Sequence, residues 1–268
     1  MASDYCRWAP GPCGVTDMDF ITSFFRNLHE RGGINLTILY DPFDMNRFLH
    51  GLMLTVVLFL ISAVVSVMIG LAGAGFLTLP YRIPKAITRG YVAFFRNTPP
   101  LIQMYFFYFG IGALIPVTKN ASGFPQELIN NFEWALIALS LYAGAFNIEI
   151  FRAGIEAIHR SIVEAAQVLG YSKIAAFIYL MVPLAWRISL PTLCNNLIEL
   201  LKTTTLAYAI GVPELLYVSN QIWSDNINTF EMMNVLMVVY LVLVGIVALA
   251  MHRWERALRL PGFGAVST

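Results

Sequence analysis

Ser161-Ile162-Val163-Glu164-Ala165-Ala166-Gln167-Val168-Leu169-Gly170 carries its own start and stop signals. Ser161 and Glu164 fit a capping box: the hydroxyl satisfies the amide three residues on, and the carboxylate reaches back to the serine's own amide. Gly170 suits the C′ position, because a helix often ends in a left-handed turn that glycine adopts without strain. The spacing therefore predicts a rigid two-turn helix over 161–170. The chain on either side of it leads into apolar runs long enough to cross a bilayer. A plain surface helix joining two others carries the same caps, so the pattern alone specifies a stiff peg and no more.

Composition sets the environment of that peg. Apolar residues make up 58% of the 268 residues and charged residues 12%, against about 25% charged in a typical soluble domain. Mean hydropathy is +0.67. These values place the chain among polytopic membrane proteins, and the length of its apolar spans predicts an all-α fold. A net charge of +1 gives no electrostatic footprint for nucleic acid. The start shows no secretory signal, since Asp4, Cys6, Arg7 and Pro10 interrupt any apolar core. Cys194 lies in an apolar stretch and reads as a packing residue. Cys6 and Cys13 flank a turn-rich connection, where a disulfide and two free thiols are equally compatible with the sequence. Metal-ligand spacing is absent around the isolated His29.

Residues 1–47 are mixed and polar. Phe20, Phe24, Phe25 and Leu28 at helical spacing suggest an interfacial amphipathic helix ended by Gly32-Gly33. Five apolar spans follow, at about 48–79, 101–116, 134–151, 184–212 and 232–251, each near the roughly 20 residues needed to cross a ~30 Å core. In the first, Ser62, Ser66, Gly70 and Ala74 recur every four residues, a small-residue face that lets another helix approach closely. Basic residues give the orientation. Arg82, Lys85, Arg89 and Arg96 lie between spans one and two, Arg152, Arg160, Lys173 and Arg187 around the next link but one, and Arg253, Arg256 and Arg259 in the tail. The link between spans two and three holds Lys119 alone, and that between four and five has no Lys or Arg. The alternation predicts an outside N-terminus, an inside C-terminus and a cytoplasmic 161–170 helix. Residues 261–268 form the end of the tail.

Polar residues inside spans are costly and so informative. Asn195, Glu199 and Lys202 fall at i, i+4 and i+7 on one face, with Thr203 next. Such a stripe either holds helices together or lines a watery cavity for a polar solute. Two ionisable groups exceed what interhelical bonding needs, which favours the cavity. Asn147, Glu149, Arg152 and Glu156 near the end of span three read as a structural ion ladder beside a polar residue that could face the same path. Thr98-Pro99-Pro100 marks a break whose freed backbone groups can line a site, or a plain helix start. No P-loop, Gly-x-Ser-x-Gly or His-Glu-x-x-His pattern occurs, so the expectation is a non-enzymatic chain.

Glu164-Ala165-Ala166, Leu169-Gly170, Phe177 and Pro183-Leu184-Ala185 together resemble the EAA loop of permease subunits from ATP-binding-cassette importers. Phe95-Arg96-Asn97-Thr98-Pro99 with Gln103, then Ala145, Glu149, Arg152 and Ile155, and Leu201-Lys202-Thr203-Thr204-Thr205-Leu206 with Ile210 and Glu214-Leu215 are similar to the polar amino-acid branch, the histidine and glutamine permease kind. The resemblance covers most of residues 48–260. It departs at Asn97, Phe146, Ile162-Val163 and Thr203, where Gly, Tyr, Gly-Gln and Asp are usual. It implies the type I importer fold, with five transmembrane helices in the domain 48–260 and a bacterial inner-membrane location. In that family Ser161, Glu164, Ala165, Ala166 and Gly170 would couple to a cytoplasmic ATPase. Asn195, Glu199, Lys202, Thr203, Thr98 and Asn147 would line the substrate pathway. The implied partners are a second permease chain, identical or different, two ATPase subunits and a periplasmic amino-acid-binding protein. ATP and Mg would be bound by the ATPase, with no cofactor on this chain. A permease for another small polar solute and an ion-coupled carrier are the alternatives; the carrier predicts internal inverted repeats, and none is visible.

Overall fold

The computed structural model describes residues 22–27, 29, 33–116, 118–119 and 125–258. Residues 22–27 are helical, in line with the expected amphipathic helix. Its remainder, Cys6, Cys13 and residues 261–268 lie outside the described residues.

Pro42 opens the first long helix at a position where a missing amide costs nothing, and Asp41 caps it by accepting from the Phe43 amide at 3.0 Å. This helix, α1, runs Pro42–Thr78 over 37 residues. At 1.5 Å per residue it is about 55 Å long and outreaches the hydrocarbon core. Its small-residue face does what the spacing predicts. Ser62, Ser66, Gly70 and Ala74 are buried against α4 (Asn131–Glu156). A Cβ on Gly70 would stand 2.5 Å from the Asn147 Cβ, and one on Gly73 would overlap the Ile148 side chain. The backbones of α1 and α4 touch because those positions carry nothing larger.

Between these helices, α2 (Arg82–Asn97) is followed after Thr98-Pro99 by α3, an α-helical start at Pro100–Tyr105. A π turn at Phe106–Ile111 and a 3-10 turn at Gly112–Leu114 complete it. The apolar run Pro100–Leu114 is shorter than a normal span, about 22 Å at helical rise. The second expected span is therefore short and irregular, and it is preceded by a helix where the charges suggested a link. Two-residue strands, Thr118–Lys119 and Pro125–Gln126, pair antiparallel before α4. A capping box opens α4: Asn130 Oδ1 accepts from the Glu133 amide at 2.9 Å, and Glu133 accepts from the Asn130 amide at 2.8 Å.

After α4 comes α5 (Arg160–Val168), then a short turn at Lys173–Ala176, a π turn at Phe177–Met181, and α6 (Val182–Thr203) ending in a 3-10 segment to Ile210. Gly211 turns the chain with φ +76 into α7 (Leu215–Asn226), which lies before α8 (Thr229–Leu258). Among the described residues four helical stretches, Pro42–Thr78, Asn131–Glu156, Ile174–Ile210 and Thr229–Leu258, are long and apolar enough to cross a membrane. The chain is a multi-pass, all-α membrane protein. The main core runs along α1, α4 and α6 through Leu58, Leu139, Phe151, Leu193 and Leu200. A second cluster, with Phe48, Leu215, Ile222 and Met232, joins the start of α1 to α7 and α8.

Candidate functional site

The stretch quoted at the outset folds into α5, with one change to its expected start. Ser161 is not the N-cap. His159 takes that position: its Nδ1 accepts weakly from the Ser161 amide at 3.4 Å and meets the Ser161 Oγ at 2.8 Å. The helix starts two residues earlier than expected: His159 is extended, with ψ +136, and Arg160 is the first helical residue. Glu164 is exposed and makes no reciprocal bond to Ser161 among the described residues. The stop is as expected. Gly170 has φ +86. Its amide reaches the Gln167 carbonyl at 3.0 Å, and the Tyr171 amide reaches the Ala166 carbonyl at 3.0 Å. This pair of bonds is a Schellman ending. Ala166 is buried while Ala165 is exposed, so one alanine seats the helix and the other faces outward.

Two residues outside the candidate coupling set stand out on this knob. Val168 is 88% exposed and Leu169 77%. Apolar side chains presented so fully at a helix end call for a covering surface, lipid or protein. The signal was in the sequence: two apolar residues directly before a C′ glycine, where a solvated helix end would carry polar ones.

The second group lies on α6. Asn195, Glu199 and Lys202 share one exposed face, and Glu199 forms an ion pair with Lys202. With both partners more than half exposed, this pair contributes little stability. The other three residues expected beside them are placed differently. Thr203 is buried, and its hydroxyl donates to the Glu199 carbonyl at 2.7 Å. Thr98 is consumed by the α2–α3 break: it donates to the Phe94 carbonyl at 2.8 Å and accepts from Gln103 Nε2 at 2.6 Å. The buried Gln103 also donates to the Phe95 and Thr98 carbonyls, at 2.9 and 3.0 Å; Phe95 lies four residues before Pro99, which has no amide to offer it.

Asn147 is the clearest correction. It is fully buried, donates to Ser66 Oγ at 3.1 Å and accepts from Asn196 Nδ2 at 2.8 Å. It therefore binds α1, α4 and α6 together and does not face an open path. The close approach of Gly70 forces it inward, and Asn196, the neighbour of Asn195, supplies the bond from α6. The ion ladder is present: Arg152 reaches Glu149 at 2.8 Å and Glu156 at 2.7 Å, and Arg96 approaches Glu149 at 3.8 Å across from α2.

At the opposite end, Glu214 sits between the fourth span and α7, with no exposure to solvent. It caps α7 by accepting from the Leu216 and Tyr217 amides, each at 2.9 Å, and from the Tyr240 hydroxyl at 3.3 Å. Burial pushes its carboxyl up to about 7, although the capping bonds pull the other way.

The geometry is that of an all-α multi-pass membrane bundle with a stiff, exposed helix between its third and fourth apolar spans. Residues 66–259 match the model of the binding-protein-dependent transport system inner membrane component. The chain belongs to that family. It is 31% identical over 175 residues to the probable amino-acid permease protein YxeN of Bacillus subtilis, covering 65% of this chain and 75% of that one. It is 27% identical to the probable glutamine ABC transporter permease protein GlnM of the same organism, covering 84% and 98%. The crystal structure of an amino acid ABC transporter with histidines superposes with a TM-score of 0.69 at 27% identity, over 80% of this chain and 94% of that one. The inward-facing MetNI methionine ABC transporter, at 20% identity and TM-score 0.65, shares the fold.

Proposed function

We propose that this chain is the permease subunit of an ATP-driven importer for polar L-amino acids in the bacterial inner membrane. It forms half of the translocation path and pairs with a second permease chain. Two cytoplasmic ATPases bind ATP and Mg, and a periplasmic binding protein delivers the solute. The N-terminus lies outside and the C-terminus inside, as the distribution of basic residues favours.

The observation that carries this reading is the knob: a helix stopped by the Gly170 turn, presenting Val168 and Leu169 beyond the bundle. When nucleotide closes the ATPase pair, a docked knob moves with it. Because α5 joins the end of α4 to the start of α6, that displacement enters the two helices carrying Asn147, Asn196 and the Asn195–Glu199–Lys202 face. An exposed polar face on a helix inside lipid calls for water or a second chain across from it. Glu199 and Lys202 together match a zwitterionic solute, one charge for each of its ends.

The test is reconstitution of the permease and ATPase subunits in vesicles with solute-loaded binding protein. ATP-dependent amino-acid uptake, and a disulfide between Val168→Cys and a cysteine on the ATPase, are expected. Uptake on an ion gradient without ATP would replace this reading with a carrier. ATP-driven uptake of a different polar solute would keep the mechanism and change the cargo.

A further inference from the structure

Where α3 ends and α4 begins, the chain encloses a cavity of about 330 Å3, within the size range of small-molecule sites. None of its lining residues belongs to α6. Two irregular turns shape one wall. The π turn Phe106–Ile111 supplies Tyr108 and Phe109, and the 3-10 turn Gly112–Leu114 supplies Gly112 and Ala113. Trp134 in the first turn of α4 forms another wall, and the segment leading into that helix adds Glu127.

Two polar groups in this lining are unanswered. Trp134 is 5% exposed, yet its indole N–H has no hydrogen-bond partner among the described residues. Buried donors are nearly always partnered. This one is not sealed inside protein; it meets the cavity at Gly112, where a Cβ would stand 3.5 Å from Nε1. Glu127 is exposed and makes no ion pair or hydrogen bond among the described residues. No lining residue is basic.

We propose that this cavity binds a small quaternary-ammonium solute that carries an oxygen near its cationic head. One unpaired carboxylate and three aromatic rings attract a cation. A primary ammonium needs acceptors for three donors, whereas a quaternary one donates no hydrogen bond and is held by ring faces. An anion finds no positive partner in the lining, and an apolar molecule leaves both Glu127 and the indole N–H unused. The head lies against Tyr108, Phe109 and Glu127, and the oxygen accepts from Trp134 Nε1. This goes beyond the import reading and does not depend on it.

The probe is radiolabelled choline, and the competitor is dimethylbutanol, the uncharged isostere in which carbon replaces nitrogen. The full chain in dodecyl maltoside is expected to bind choline saturably, with the alcohol displacing it only at about tenfold excess or more. Ethanolamine is expected to compete less well than unlabelled choline. Glu127→Gln is expected to weaken choline binding about threefold or more and to leave the affinity for the alcohol unchanged. Ala113→Phe, at an exposed position in the lining, is expected to abolish binding of both. No saturable binding, equal displacement by the alcohol, stronger competition by ethanolamine, or full affinity in either variant overturns the proposal. The same measurement in nanodiscs separates a solute from a lipid headgroup. Choline binding kept in both phosphatidylglycerol and phosphatidylcholine discs supports a free solute. Loss in phosphatidylcholine discs alone gives the site to a lipid headgroup and overturns it.

Discussion

The two ends of the bundle keep their shape by opposite means. At the α5 end, order is local: a helix start at His159 and a Schellman stop at Gly170, all within a dozen residues. At the α7 end, order is long-range. Asn35 receives a bond from Asn228 at 2.9 Å and gives one to Glu231 at 3.1 Å, Asp44 accepts from Asn226 at 2.8 Å, and Arg47 reaches Asp225 at 3.0 Å and Gln221 at 3.0 Å. One end is a stiff object that can be moved as a unit. The other is a knot tying the start of α1 to α7 and α8, and it resists movement because many partners would have to separate together.

The largest effect expected from breaking this contrast is at Gly170. Gly170→Val puts a β-branched residue at φ +86, which costs on the order of 1–3 kcal/mol and loosens the stop. Uptake is expected to fall more than about tenfold while the ATPase still co-purifies; normal uptake would remove the knob from the coupling step. The next test lies at the knot. Glu214 has its carboxyl raised to about 7 in the fold, so the folded state holds a proton that the unfolded chain releases at an ordinary carboxylate pKa. Its contribution is full below about pH 4.5 and is lost as pH rises through about 7, a change of up to roughly 3 kcal/mol. Thermal unfolding in detergent across that range should show the decline, and Glu214→Gln should flatten it.

A third prediction concerns the middle of the bundle. Asn147→Ala leaves Ser66 and Asn196 without their buried partner, at a cost of about 1–3 kcal/mol, read as a lower unfolding temperature. The smallest stability effect belongs to Glu199. Because its pair with Lys202 is exposed, Glu199→Ala should change unfolding by under about 0.5 kcal/mol yet lower uptake. If it abolishes assembly instead, the α6 face is an interhelical contact.

Much of this was legible in the sequence. Hydropathy located the long helices, although they extend past their apolar centres into polar residues, as at Asp44 and Arg256. The small-residue period in α1 gave its packed face, and the glycine gave the knob's end. Two helices, α2 and α7, were hidden in what reads as links, because charge or polarity masks a helix that is only partly lipid-facing. A capping box forms at Asn130-x-x-Glu133, a pattern the sequence carries but which was read only at Ser161, where a histidine two residues earlier takes the cap. Asn147 could not be placed, since which face of α4 is buried depends on how closely α1 approaches, and that is set by glycines some 77 positions away (70 against 147).

The meshing of Gly70 and Gly73 with Asn147 and Ile148 has a mechanical corollary. Teeth set that deep forbid sliding: α1 cannot shift along α4 by a fraction of a turn without backbone collision. On the coupling proposed above, a push delivered at the knob would swing both rods in unison, with any opening confined to their outer flanks.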